Sequence, residues 1–137
     1  MLYLSRREFE QMLEHARAQL PEEACGMLGG RTDEAGNRVI ERVYLLENLD
    51  HSPERFRLAP EEQLAAVREM RASGWSPLGS WHSHPDTPAW PSREDRRLAY
   101  DDQASYLILS LMLRDEPVLN AFRIRDDAVM RERIVWV

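Results

Sequence analysis

Cysteine is nearly absent: Cys25 is the only one in 137 residues. A lone thiol excludes an internal disulfide framework and any multi-cysteine zinc site of the finger type. It fits a reducing, cytoplasmic compartment. Long apolar runs are missing too. No stretch nears the roughly 18 apolar residues that a membrane-spanning helix needs. The opening MLYLSRREFE has neither the basic start nor the unbroken apolar core of a secretory signal. Positive charge is in deficit, with 18 Lys+Arg against 24 Asp+Glu and a net charge of −6. That balance argues against nucleic acid, whose binding rests on cationic contacts to phosphate. Repeats, low-complexity tracts and Gly/Ser linkers are also lacking, so residues 1–137 read as one domain. What is present is ordinary for a globular protein: 43% hydrophobic and 31% charged residues. A chain of this length buries about 68–70% of its unfolded surface, enough for a core without staples.

Residues 5–19 predict a helix. Ser5-Arg6-Arg7-Glu8 has the form of a capping box. Phe9, Met12, Leu13, Ala16 and Leu20 recur at helical spacing, and Pro21 ends the run. Residues 23–29 read as a buried strand closed by Gly29-Gly30 and a polar turn. Residues 38–46, rich in β-branched and aromatic side chains, read as its partner. Residues 54–59 alternate charged and apolar, the pattern of a half-buried strand. Pro60 opens a second helix with Glu61 and Glu62 at its positive end. Leu64, Val67 and Met70 are expected to face inward, and Gly74 stops it. A strand at 76–82, a proline-rich loop at 83–91 and a third helix at 92–102 follow. Strands are expected at 105–113, 118–125 and 128–137. This order implies an α+β domain, a mixed central sheet flanked by about three helices.

The chemistry concentrates in GSWHSHPDTPAWPSRED. His82 and His84 are two residues apart, so on a strand both imidazoles leave the same face. Two such rings can share a metal ion, with Pro85 stopping the strand. Asp95, in the first turn of the expected third helix, can be aimed back at them. His82, His84 and Asp95 would be three ligands with a fourth position open, the arrangement of a catalytic zinc site. The plainer reading of Ser92-Arg93-Glu94-Asp95 is a capping box with no metal. The two readings are compatible.

His82, His84, Pro85, Ser92 and Asp95 fall together at fixed offsets, and that combination resembles the JAMM (MPN-plus) metalloprotease motif. Asn48, Pro53, Phe56, Pro60 and the strand 106–111 extend the likeness to short prokaryotic members. The resemblance implies a cytidine-deaminase-like α/β/α fold and one Zn2+ per chain, held by His82, His84 and Asp95. It places the family's glutamate at Glu23, with Glu22 as the alternative. Glu23 would be the general base and Ser92 the donor to the developing oxyanion. The substrate implied is a small ubiquitin-like or sulfur-carrier protein, cut after its C-terminal Gly-Gly. The leaving group is left open between cysteine, a peptide extension and a lysine side chain. Two rivals remain: a non-catalytic scaffold of the same fold, and a peptidase acting on another substrate such as a cell-wall peptide.

Other residues have plainer expectations. Cys25, inside an apolar run, reads as a small buried hydrophobe rather than a nucleophile. His15 reads as solvent-facing on the first helix, and His51 as a solvated loop residue. Trp81 alternates with the histidines and should point into the core. Trp90 has two readings, a wall of the substrate groove or packing for its loop. Arg96 and Arg97 read as a solvated helix face, and Asp126-Asp127 as a hairpin turn.

Overall fold

The computed structural model describes residues 1–137. In chain order it has β1 (Leu2–Leu4), α1 (Arg6–Gln19), β2 (Cys25–Thr32), β3 (Arg38–Leu46), α2 (Pro60–Ala72) and β4 (Ser76–His84). Then come α3 (Arg93–Arg97), β5 (Ser105–Ser110), β6 (Val118–Arg125), β7 (Ala128–Glu132) and β8 (Ile134–Trp136). The eight strands form one mixed sheet in the order β7-β6-β5-β4-β2-β3-β1-β8. The α+β class expected from the sequence is the one observed. Strands β7 and β8 end the order on opposite sides, yet Arg133 alone separates them. The sheet must therefore curl until the terminal segment spans both edges. Arg133 O accepts from Leu2 N at 2.8 Å at that crossing.

The main core lies on the face that α1 covers. Met12 and Ala16 of α1 pack there with Leu2, Leu28, Trp81 and Leu107 of the sheet. The opposite face carries two smaller clusters. Tyr44 and Met70 pack under α2, and Ile108, Phe122 and Ile124 lie toward α3. Helices thus stand on both faces of the sheet, the α/β/α layering that the resemblance implied. Gly26 sits where a side chain would collide with Tyr44 and Trp81. Its absence lets Trp81 Nε1 donate to Tyr44 O at 3.0 Å.

Several expectations need correction. The half-buried strand at 54–59 is not in the sheet; it is an extended segment with no strand beside it. Its backbone is tied instead to the Asn48 side chain and, through Arg57 O, to Leu49 N at 2.9 Å. The third helix stops at Arg97 rather than 102. Asp101 then makes its own turn, accepting from Gln103 N at 2.9 Å, which competes with helix. Strand β5 ends at Ser110, whose Oγ accepts from Met112 N at 3.2 Å. The last strand is broken at Arg133, and β1 is too short to show a period. Ser5 caps α1 by accepting from Glu8 N, but Glu8 turns to Val43 N (2.7 Å) and leaves half the capping box unmade. On α2, Leu64 is 51% exposed and Ala66 takes the buried place beside Met70. The turn at Asp126-Asp127 is as expected, with φ of 49° and 67° suited to a two-residue hairpin.

Candidate metal centre

Strand β4 runs through both histidines and stops at Pro85. His82 and His84 share one face of it and are buried; Trp81 points to the α1 face and is fully enclosed. β4 is an inner strand, hydrogen-bonded to β2 on one side and β5 on the other. That ladder fixes the backbone from which both imidazoles project. His84 Nδ1 donates to Pro88 O at 2.9 Å, which leaves Nε2 as the ring's lone-pair atom. The loop carrying Pro88 is itself fastened, since Ser110 Oγ donates to Thr87 O at 2.6 Å.

Helix α3 brings the third group. Ser92 Oγ accepts from Asp95 N at 3.0 Å, and Ser92 N donates to Asp95 Oδ2 at 2.9 Å. Both halves of the capping box form, so the plainer reading of this stretch holds. The same Oδ2 lies 3.1 Å from His82 Nε2 and 3.1 Å from His84 Nε2. The two Nε2 atoms are 3.1 Å apart. Three electron-rich atoms thus make a near-equilateral triangle. A proton on one nitrogen serves one edge of it; a cation serves all three. Zinc bonds of about 2.0–2.1 Å at tetrahedral angles ask for ligand atoms roughly 3.3 Å apart, so the donor set fits. Burial pushes the Asp95 carboxyl up, but the His82 and His84 rings and the Ser92 N–H outweigh it and hold it well below the usual carboxylate range. Ser92 Oγ accepts in the cap and keeps its own hydrogen free to donate.

Glu23 lies just before β2. Cys25 pairs with His82, and Ser83 N donates to Ala24 O, so the register sets Glu23 beside His84 on the histidine face. Its backbone is pinned, with N donating to Ser52 O at 2.8 Å. The side chain is 2% exposed, and Oε1 has no hydrogen-bond partner. Burial, reinforced by the charges of Asp95 and Glu54, pushes its pKa up to about 9. Glu22 points outward and pairs with His51 Nδ1 at 2.8 Å. An orphaned buried carboxylate beside a triangle of acceptors is a site short of positive charge, which a divalent ion would supply.

A groove of about 380 Å³ opens beside the triangle. Phe56, Leu58, His82, Asp95, Tyr100 and Ile108 are among the residues that line it. Phe56 stacks on the His82 ring with centroids 4.7 Å apart. Sequence reasoning placed Phe56 on a strand and gave it no role at the site. The FRL alternation marked an extended segment but could not say that a ring, not a partner strand, lay against it. Trp90 is not in this groove; it meets Phe122 edge-on at 5.3 Å, the packing reading. His15 is half-buried against Trp81, its Nε2 3.3 Å from Leu46 O, not solvent-facing. Arg96 pairs with Asp127 and Arg97 with Glu94. Burial and the Glu23 charge push the Cys25 thiol up to about 12, which removes it as a nucleophile.

The chain is similar to several known proteins. Residues 5–125 match the family of prokaryotic homologs of the JAB domain. A CysO-cysteine peptidase from Mycobacterium tuberculosis is 38% identical over 123 residues, 90% of this chain and 82% of that one. A probable TtuB-protein conjugate cleaving protease from Thermus thermophilus is 36% identical over 96 residues, 69% of this chain and 61% of that one. A solution structure from Desulfitobacterium hafniense superposes with a TM-score of 0.92 at 53% identity, covering 100% of this chain and 93% of that one.

Proposed function

This chain belongs to the prokaryotic JAB-domain family, whose relatives are hydrolases of peptide and isopeptide bonds, and on that premise we propose that it is a zinc peptidase for ubiquitin-like or sulfur-carrier conjugates. The bond cut is the one after the carrier's C-terminal Gly-Gly. The observation that carries this reading is the triangle of His82, His84 and Asp95 with a buried, unpartnered Glu23 beside it. Zinc there would lower the pKa of a water to about 7 and polarise the scissile carbonyl.

The rest falls to the chain's own residues. Glu23 takes a proton from the attacking water and returns it to the leaving amine. Its burial keeps that proton out of bulk solvent between the two transfers. Ser92 donates its hydroxyl hydrogen to the oxygen that gains charge. His82, His84 and Asp95 would hold the cation, with His84 fixed by Pro88 O, Asp95 by the Ser92 N–H and the His82 ring by Phe56 stacked on it. The extended residues 54–59 offer the tail a wall to lie along, and glycines let it pass Phe56 without a side chain to clash. A buried single thiol suits a cytoplasmic enzyme.

The test is cleavage read by intact mass. Zinc-loaded protein is incubated with a carrier extended past its Gly-Gly, beside a chelator-treated sample. A mass drop to the Gly-Gly terminus, abolished by the chelator, is expected. About one zinc per chain with no cleavage across several carriers would sink the substrate class. No zinc and no cleavage would favour a scaffold.

A further inference from the structure

The Glu23–Ala24 peptide group is held by two side chains. Its N–H donates to Ser83 Oγ at 2.8 Å, and its carbonyl accepts from Asn48 Nδ2 at 3.1 Å. Asn48 follows β3 and is 3% exposed. The second Nδ2 hydrogen goes to Arg55 O at 3.0 Å. Oδ1 accepts from Asp50 N at 3.0 Å and from Arg57 N at 3.2 Å. Every hydrogen-bonding position of one buried amide is therefore used. Two carbonyls at one end and two N–H groups at the other fix which way the amide points.

Three stretches of chain meet at this amide. One carries Glu23, one turns at Asp50, and one presents Phe56 to the His82 ring. None of the four bonds reaches β4 or α3, the elements that hold His82, His84 and Asp95. We propose that Asn48 is the positioning residue of this centre. It sets Glu23 and the Phe56 wall together against a triangle that forms without it. The proposal rests on the reading of Glu23 as general base. The bonds explain why an amide is needed. Asn48→Asp keeps the shape and both accepted bonds, but turns both donated bonds into oxygen facing carbonyl oxygen. Glu23 then loses the donor that fixes its carbonyl, and a shift near 1 Å in a reacting group can cost about 100-fold in rate.

The test is a double-mutant cycle. Asn48→Asp and Asn48→Ser are made alone and with Glu23→Gln, and kcat, KM and zinc per chain are measured on the extended carrier. With Glu23 intact, each Asn48 variant is expected to lower kcat roughly 10- to 100-fold with zinc unchanged. In the Glu23→Gln background the same changes are expected to cost less than about 3-fold, because the group being positioned is gone. Equal losses in both backgrounds, an unchanged kcat, or loss of zinc would overturn the proposal. So would failure of both Asn48 variants to fold, which would make Asn48 structural only. An inactive Glu23→Gln protein with fully active Asn48 variants would overturn this proposal alone. A fully active Glu23→Gln protein would overturn the reading of Glu23 beneath it.

Discussion

Asp95 and Glu23 flank the same pair of histidines from opposite elements, and their surroundings drive them apart. Asp95 opens a helix, accepts the Ser92 N–H and faces two imidazoles. Those contacts outweigh its burial and hold its carboxyl well below the usual range. Glu23 is buried with one oxygen unpartnered and two other carboxylates nearby, and its pKa is pushed up to about 9. Two residues of nearly the same chemistry are thus made into different tools. One is a fixed anion suited to holding a cation; the other holds its proton at neutral pH until a cation beside it draws the pKa down.

The largest expected effect comes from removing the fixed anion. Asp95→Ala, or His84→Ala, should lose bound zinc and lower cleavage by at least about 1,000-fold, since without the ion a water keeps its ordinary pKa near 15.7. Metal analysis beside a rate assay checks this, and a variant that loses zinc but still cleaves would break the comparison. Ser92→Ala comes next. An oxyanion donor at Ser92 predicts a fall in kcat of about 100- to 1,000-fold. A cap alone predicts unchanged kcat and roughly 0.5–2 kcal/mol less stability. Thermal melts and kinetics on one sample separate the two.

A smaller effect sharpens the Glu23 side. In the metal-free protein, Glu23 stays protonated in the fold at pH values where the unfolded chain has already released that proton. The folded state then binds more protons, so stability falls as pH rises from near 4.5 toward 9. Glu23→Gln removes that loss. With chelator present, its Tm should equal the wild type's below pH 4.5 and exceed it increasingly up to about pH 9. A constant difference across that range would place Glu23 in contact with solvent. The smallest effect is expected at Trp90, which lies outside the groove: Trp90→Ala should leave KM within about 2-fold, because scattered exposed apolar residues contribute little.

Much of this centre is legible in the sequence. His82 and His84 declare themselves because a two-residue period on a strand forces both rings to one side. Asp95 stands out because it is the N3 carboxylate after the Ser92 cap, a position that a capping box and an aim back at the histidines both use. Glu23 entered through the family pattern alone, since a carboxylate at a strand start is ordinarily exposed. What the sequence hid has physical causes. The alternation at 54–59 is a real signal of extended backbone, but its partners are the Asn48 amide, the Leu49 N–H and the His82 imidazole. Asn48 belongs to the family likeness and does mark a turn at Asp50, but nothing local says that its side chain also holds Glu23 and residues 55–57. His15 looked solvated because helical periodicity does not reveal that Trp81 reaches up from the sheet beneath it.

The most direct test of two carboxylates with two roles is the zinc content and cleavage rate of Glu23→Gln measured on one preparation. About one zinc per chain, with cleavage of the extended carrier reduced roughly 100- to 10,000-fold, is the result expected of a general base outside the ligand set. Loss of the zinc, or cleavage at the wild-type rate, would contradict it.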